Sequence, residues 1–324
     1  MVKRDEIKRI IALLFVFLSL IFLSCSKEKV VLERVRLAFL DSDLHQLAAY
    51  VALDRGFFTQ QGLQVEVAGI FKAGPEEMSA FSAGEIDIGY VGLAPATIAA
   101  ANGMADVVLL AQANTEGTSI VVGPDFDDSE GIRSLAGKSI AIPGKGTVQD
   151  FLLQKAIEKW QINPIPKQVI LKPPEMQFAL NNEDIDAYIA WQPYPQRSVR
   201  RGKGKILIDS GKIWKDHPCC ILVGDRKFIE EDKPRALKII KVHIMATDYI
   251  IENPEKAVEI GVKYTGMERE TIRKAIDKIH YTYFPDIEKT KEYLDFLVKF
   301  GYVRNVDSGI FIKRFVNEEL WTGF

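Results

Sequence analysis

From residue 35 onward the apolar positions switch between a period near two and a period near 3.6. These spacings distinguish a half-buried strand from an amphipathic helix. Residues 35–40 predict a strand, 44–60 a helix, 64–67 a strand, and 75–84 a helix opened by Pro75, Glu76 and Glu77, residue types favoured in a first turn. A strand at 86–90, a helix from 95 to 102 stopped by Gly103, and apolar strands at 107–110 and 119–122 complete a first series. A second begins after the turn-rich Gly123-Pro124-Asp125. It has strands at 138–143, 169–171, 185–190, 206–209 and 220–223, and helices at 147–160, 174–181 and near 192–200. Beyond Asp225 the pattern is almost only helical, at 234–252, 254–265, 269–279 and 288–300.

Strands alternating with helices argue for an α/β protein with largely parallel sheets. Ligands of such sheets sit beyond the carboxyl ends of the strands, against helix N-termini. Two series predict two α/β lobes with a cleft between them. The expected division is 34–122 for the first part of lobe 1, 123–222 for lobe 2, and 223–324 for a return to lobe 1 with the C-terminal helices.

The first residues follow another pattern. Lys3, Arg4, Lys8 and Arg9, partly offset by Asp5 and Glu6, precede an apolar run from Ile10 to Leu23 broken only by Ser19. At about 14 residues the run falls short of the roughly 20 a membrane span needs. It suits a secretory signal over residues 1–24. Phe22-Leu23-Ser24-Cys25 resembles the lipobox of bacterial lipoproteins, with Phe22 where leucine is usual, so Cys25 is the expected lipidation site and 25–33 a tether. An uncleaved N-terminal anchor is the alternative. Either way the body of the chain is expected outside the membrane, and the lipoprotein reading has it lipid-anchored on the periplasmic side or cell surface.

Composition adds exclusions. The chain has 324 residues and a formal charge of −2. Taking away the four cations and two anions of residues 1–24 leaves about −4, so no basic surplus recruits nucleic acid. Three cysteines, of which two are adjacent, make no disulfide framework.

Several stretches, in order, carry a resemblance. Ala52-Leu53-Asp54-Arg55-Gly56-Phe57-Phe58 followed by Gly62-Leu63-Gln64-Val65-Glu66 is one. Gly84-Glu85-Ile86-Asp87-Ile88-Gly89 with Ala94-Pro95-Ala96 is a second, and Leu135-Ala136-Gly137-Lys138-Ser139-Ile140-Ala141 with Gly146-Thr147 a third. Asp186-Ala187 with Trp191-Gln192-Pro193-Tyr194, and Asn253-Pro254-Glu255-Lys256-Ala257, complete the set. Together they resemble the nitrate/sulfonate/taurine family of ABC-transporter substrate-binding proteins, which is akin to the NMT1 and thiamine-precursor binders. The resemblance implies a type II periplasmic-binding-protein fold with hinge strands, a small-molecule ligand, a permease and its ATPase as partners, and a monomer without cofactor or catalytic activity. It leaves open whether the ligand is a sulfonate, nitrate, bicarbonate or a heterocyclic precursor.

Candidate contacts fall in loops after strands. Gly92, Leu93 and Ala94 precede Pro95 at a helix start, where free N–H groups and the helix dipole attract an accepting group; an ordinary strand–helix turn is the alternative. Gly146 and Thr147 repeat the arrangement in the second series, with Lys145 beside them as a charge or a solvent-facing residue. The spacing there fails the phosphate-loop pattern, since Ser139 and Gly146 stand where glycine and a hydroxyl residue belong. Asp41, Ser42 and His45 lie in the loop after the first strand, with Ser42 or Asp43 also well typed as a helix cap. Acids there disfavour a bare small anion. Asn114 and Thr118 flank Thr115-Glu116-Gly117 as a hinge contact or a plain turn. Trp191 is a stacking face or a core residue.

His217-Pro218-Cys219-Cys220 admits three readings: two packed thiols, a strained vicinal disulfide lining the pocket, or a soft-metal site. The last is disfavoured because neighbours in a strand point to opposite faces. No nucleophile–base or metal constellation is evident, with His45, His217, His243 and His280 scattered. The rival functions are a lipoprotein sensor, or an enzyme of this fold acting on a pyrimidine or menaquinone precursor.

Overall fold

The computed structural model describes residues 32–304 and 306–321. The expected signal peptide, the Cys25 lipidation site and all but the last residues of the tether lie outside the described residues.

The first sheet is entered by β1 (Glu33–Leu40), β2 (Leu63–Phe71), β3 (Ile88–Gly92) and β4 (Val107–Gln112). After β5 (Asn114–Glu116) the chain builds a second sheet from β6 (Thr118–Val122), β7 (Ser139–Ile142), β8 (Lys167–Ile170), β9 (Ala187–Trp191) and β10 (Lys205–Asp209). It then returns as β11 (Cys220–Asp225), and a last strand, β12 (Ile279–Tyr281), comes late. The strand orders are β2-β1-β3-β11-β4 and β10-β6-β9-β7-β8, with β12-β5 a separate two-stranded ribbon. Each large sheet with its helices is a lobe, and the chain crosses between lobes twice.

The pattern explains the placement. β3, β6 and β9 are buried along their whole length and mostly apolar, as interior strands covered on both faces must be. β2 and β8 lie at sheet edges and leave Val67, Ile70 and Ile170 exposed. The helices Leu47–Asp54 and Lys233–Glu252 pack together on the first sheet. Each Leu or Ile they bury contributes about 1.5–3 kcal/mol.

The sheets are mixed rather than largely parallel. β1 runs parallel to β2 and β3, and β7 parallel to β8 and β9. β11 runs antiparallel to β3 and β4, and β6 antiparallel to β9 and β10. Both reversed strands are the ones that arrive from the other lobe. They enter their sheet at the end where the parallel strands leave it, so they must run the opposite way.

This reversal places the start of β11 at the carboxyl end of β3, with Cys220 opposite Gly92. In the second sheet Thr118, first in β6, faces Trp191, last in β9. All four positions therefore lie on the edges of the two sheets that face each other. The stretch after Asp225 is not purely helical: Ile279–Tyr281 pairs with β5 beside the crossing. Tyr281 donates its hydroxyl to the Leu44 carbonyl at 2.9 Å and so ties the ribbon to the loop after β1. No helix among the described residues is long and apolar enough to cross a membrane.

Candidate functional site

Between the facing edges lies a cavity of about 10 Å³. Leu40, Asp43, His45, Gly74, Gly92 and Pro95 line it from the first lobe, and Thr147, Val148, Gln149 and Trp191 from the second. Cys219 and Cys220 line it from the returning crossover. No lysine or arginine is among them. The lobes are drawn together: Lys172 pairs with Glu76 across the mouth, and Gln192 N–H donates to the Gly117 carbonyl at 3.0 Å beside the hinge.

The loop after β1 is held from below. Tyr50, fully buried and stacked on Tyr264 at 4.7 Å, donates to the Leu40 carbonyl at 3.1 Å and accepts from the Asp43 N–H at 3.3 Å. Asp43 caps the short turn that follows by accepting the His45 N–H at 2.9 Å. Its other oxygen takes Gln46 Nε2 at 3.3 Å. Burial pushes the Asp43 carboxyl up to about 7, against the opposing pull of His45.

His45 Nε2 donates to the Gly117 carbonyl at 2.8 Å, which turns Nδ1 toward the thiols; burial disfavours the charged ring, yet Cys219 and Asp43 push it up to about 9. Nδ1 faces Cys219 Sγ at 3.3 Å and Cys220 Sγ at 3.9 Å. Asn114 fixes the thiols from behind: its carbonyl accepts the Cys219 N–H at 3.1 Å and its Oδ1 the Cys220 N–H at 3.0 Å. Burial works against a charged Cys219, yet the Cys220 hydrogen bond and the two neighbouring histidines hold its thiol well below the usual range. Burial and the Cys219 charge push Cys220 the other way.

The wall from the second lobe is preset too. Thr147 caps the helix Val148–Trp160, accepting the Asp150 N–H at 3.2 Å and donating to the Gly144 carbonyl at 2.8 Å. Gln149 donates to Thr118 Oγ1 at 2.9 Å. The buried Trp191 Nε1–H has no hydrogen-bond partner among the described residues, so one wall residue keeps an unspent donor.

Of the residues singled out from sequence, His45, Gly92, Thr147, Trp191, Cys219 and Cys220 meet at this cavity. Asn114 and Thr118 stand one layer behind. Leu93 and Ala94 are in the core. Asp41 and Ser42 turn to a separate surface hollow, where Asp41 pairs with Lys72. Gly146 keeps a left-handed φ of 72° and donates its N–H to Asp150 at 2.9 Å, and Lys145 reaches Gln168 away from the cavity.

The two helix starts are partly occupied by the protein's own groups. The Leu93 N–H is taken by the Cys219 carbonyl at 2.8 Å. A Cβ on Gly92 would lie 2.8 Å from Val148 Cγ2, so the turn is plugged by the opposite lobe. At the second helix start Thr147 takes the Asp150 N–H, and the Asp150 side chain takes the N–H of Gly146 just before the cap.

Cys219 and Cys220 are free thiols, not a vicinal disulfide. Cys219 precedes β11 rather than lying in it, so strand alternation does not part the two sulfurs. The histidine that meets them is His45, 174 residues away, and not His217, whose Nδ1 faces the Pro218 carbonyl at 3.1 Å. Asp43, Val148 and Gln149 were missed as cavity residues. Asp43 reads as a cap and is one, and nothing in an amphipathic helix start marks the other two.

The NMT1-like family model matches residues 29–261. The taurine-binding periplasmic protein of Escherichia coli is 29% identical over 189 residues, 57% of each chain. The ligand-binding component of an ABC-type import system from Staphylococcus aureus, solved with zinc bound, superposes with a TM-score of 0.79 at 18% identity, over 89% of this chain and 98% of that one. The periplasmic aliphatic sulphonate binding protein of Escherichia coli gives 0.75 at 19% identity, over 89% and 99%. At such identities the likeness of structure is one of fold, that of periplasmic binding proteins. These relatives are binding proteins, not enzymes.

Proposed function

Because the chain belongs to the NMT1-like family, we propose that it is the extracytoplasmic solute-binding component of an ABC-type importer, tethered by lipid at Cys25. The observation that carries this reading is the cavity itself. It is walled by both lobes, and its polar groups come from both. A solute docks on the first lobe against His45 and Asp43. The second lobe then brings Thr147, Gln149 and Trp191 over it, and the closed form is selected because only it offers both sets of contacts. The closed lobes present a surface to the permease that the open form lacks.

The lining favours a cation or a hydrogen-bond donor over a bare oxyanion. An anion in a dry site needs a fixed positive charge or free N–H groups; no lysine or arginine lines this one, the Leu93 and Asp150 N–H groups are taken, and Asp43 adds a carboxyl. Solute contacts are assigned to Asp43, His45, Thr147, Gln149, Trp191, Cys219 and Cys220.

Native mass spectrometry of the full chain in detergent, paired with small-angle X-ray scattering, tests the reading. A bound small species and a radius of gyration that falls on adding it are expected. A chain that holds nothing across a broad panel of sulfonates, oxyanions, pyrimidines, flavins and metal ions, and keeps one scattering profile throughout, would remove the import reading.

A further inference from the structure

We propose that His45, Cys219 and Cys220 form a coordination site for a thiophilic d10 cation, Zn2+ or Cu+, and that the ion itself is the solute; this rests on the binding-protein reading of the same cleft. The three donor atoms lie within 4.8 Å of one another and all three residues are buried. With metal–sulfur and metal–nitrogen bonds of about 2.3 and 2.0 Å, a tetrahedral site has a sulfur–nitrogen edge of about 3.5 Å. The 3.3 and 3.9 Å from His45 Nδ1 to the two sulfurs bracket that edge.

The surroundings are those of a ligand set. His45 donates Nε2–H to the Gly117 carbonyl at 2.8 Å, the outer contact that fixes the tautomer of metal-binding histidines and turns the lone pair inward. Gly117 has a φ of 85°, and a Cβ there would lie 2.3 Å from His45 Nε2, so only glycine lets the ring sit this way. Asp43 brings an oxygen to the open side, with Oδ1 3.6 Å from Nδ1 and Oδ2 4.0 Å from Cys220 Sγ. Two thiols and a carboxyl thus converge with no lysine or arginine in the lining, a preference for a cation fixed by composition. Thiolates among the donors select soft and borderline ions over Mg2+ or Ca2+. The cavity is small, about 10 Å³, and an ion fits it in the closed form.

The test uses the reduced full chain in detergent, dialysed separately against Zn2+ and Cu+, with metal counted per chain and its shell read by X-ray absorption. One ion per chain with sulfur neighbours at about 2.3 Å is expected. His45→Gln, Cys219→Ser and Cys220→Ser should each weaken retention by about 100-fold or more, beyond the usual effect of an outer contact. Circular dichroism identifies a variant that fails to fold, and the absorption spectrum of the parent chain decides without variants. No retained ion, or a shell without sulfur, overturns the site. An organic molecule held in stoichiometric amount, with both thiols unliganded, overturns the site while leaving the import reading standing. An ion bound through sulfur that leaves the scattering profile unchanged overturns its role as the solute.

Discussion

His243 shows how one buried side chain ties stability to pH. It sits in the helix Lys233–Glu252 with Nε2 2.9 Å from the Gln112 carbonyl and Nδ1 2.9 Å from the Tyr90 hydroxyl. Burial lowers its pKa to about 4, against the opposing effect of its backbone contacts. In the unfolded chain an imidazole titrates near 6.5. Between those values the unfolded state holds the extra proton, so stability is full above about pH 6.5 and declines as pH falls toward 4. The decline is at most about 1.4 kcal/mol per pH unit from this group. Urea midpoints at pH 7.5 and pH 5 should therefore differ more for the parent than for His243→Gln. Equal differences would show that His243 is not buried neutral.

At the scale of one element, the helix Val148–Trp160 illustrates a cap that also lines the site. Thr147 is fully enclosed, and its hydroxyl both accepts and donates along the backbone. Thr147→Ala leaves the Asp150 N–H without its side-chain partner, and about 1 kcal/mol of stability should be lost. Thr147→Ser should recover most of it. Thermal melts of the three proteins decide; an unchanged midpoint in the alanine variant would mean that the cap contributes nothing. The motif Gly146-Thr147 was visible in the sequence. Its use as a cap, rather than as a free donor, followed only from the turn geometry around Gly144.

Across the whole molecule, closure is held by surface pairs as well as by the site. Lys172, at the start of Pro173–Asn181 in the second lobe, meets Glu76 in Gly74–Ser82 of the first, both partly exposed. Such a pair contributes below about 1 kcal/mol. Reversing one charge replaces attraction by repulsion, so Lys172→Glu should weaken solute binding by a few-fold and enlarge the radius of gyration at low salt. Both effects should fade as salt rises. A salt-independent change would point to damaged packing instead. The lobes also meet where Phe151 stacks on Tyr293 at 3.9 Å and through the hinge strands, whose directions could not be read locally: the antiparallel sense of β6 and β11 follows from where the chain re-enters each sheet.

The α/β class, two series of elements and the loops after β1, β3, β7 and β9 were determined by the sequence itself. They follow from periodicity and from glycine, proline and capping residues, which act over a few positions. What only the tertiary structure decided is which of those loops face one cavity. Asp41 and Ser42 share a loop with His45 yet turn outward, because Tyr50 and Asp43 set the loop's path. Cys219 and Cys220 were conspicuous as neighbours, but their partner is His45 from the other end of the chain. That meeting depends on β11 entering the first sheet in reverse beside β3, a contact between segments far apart that no local pattern encodes.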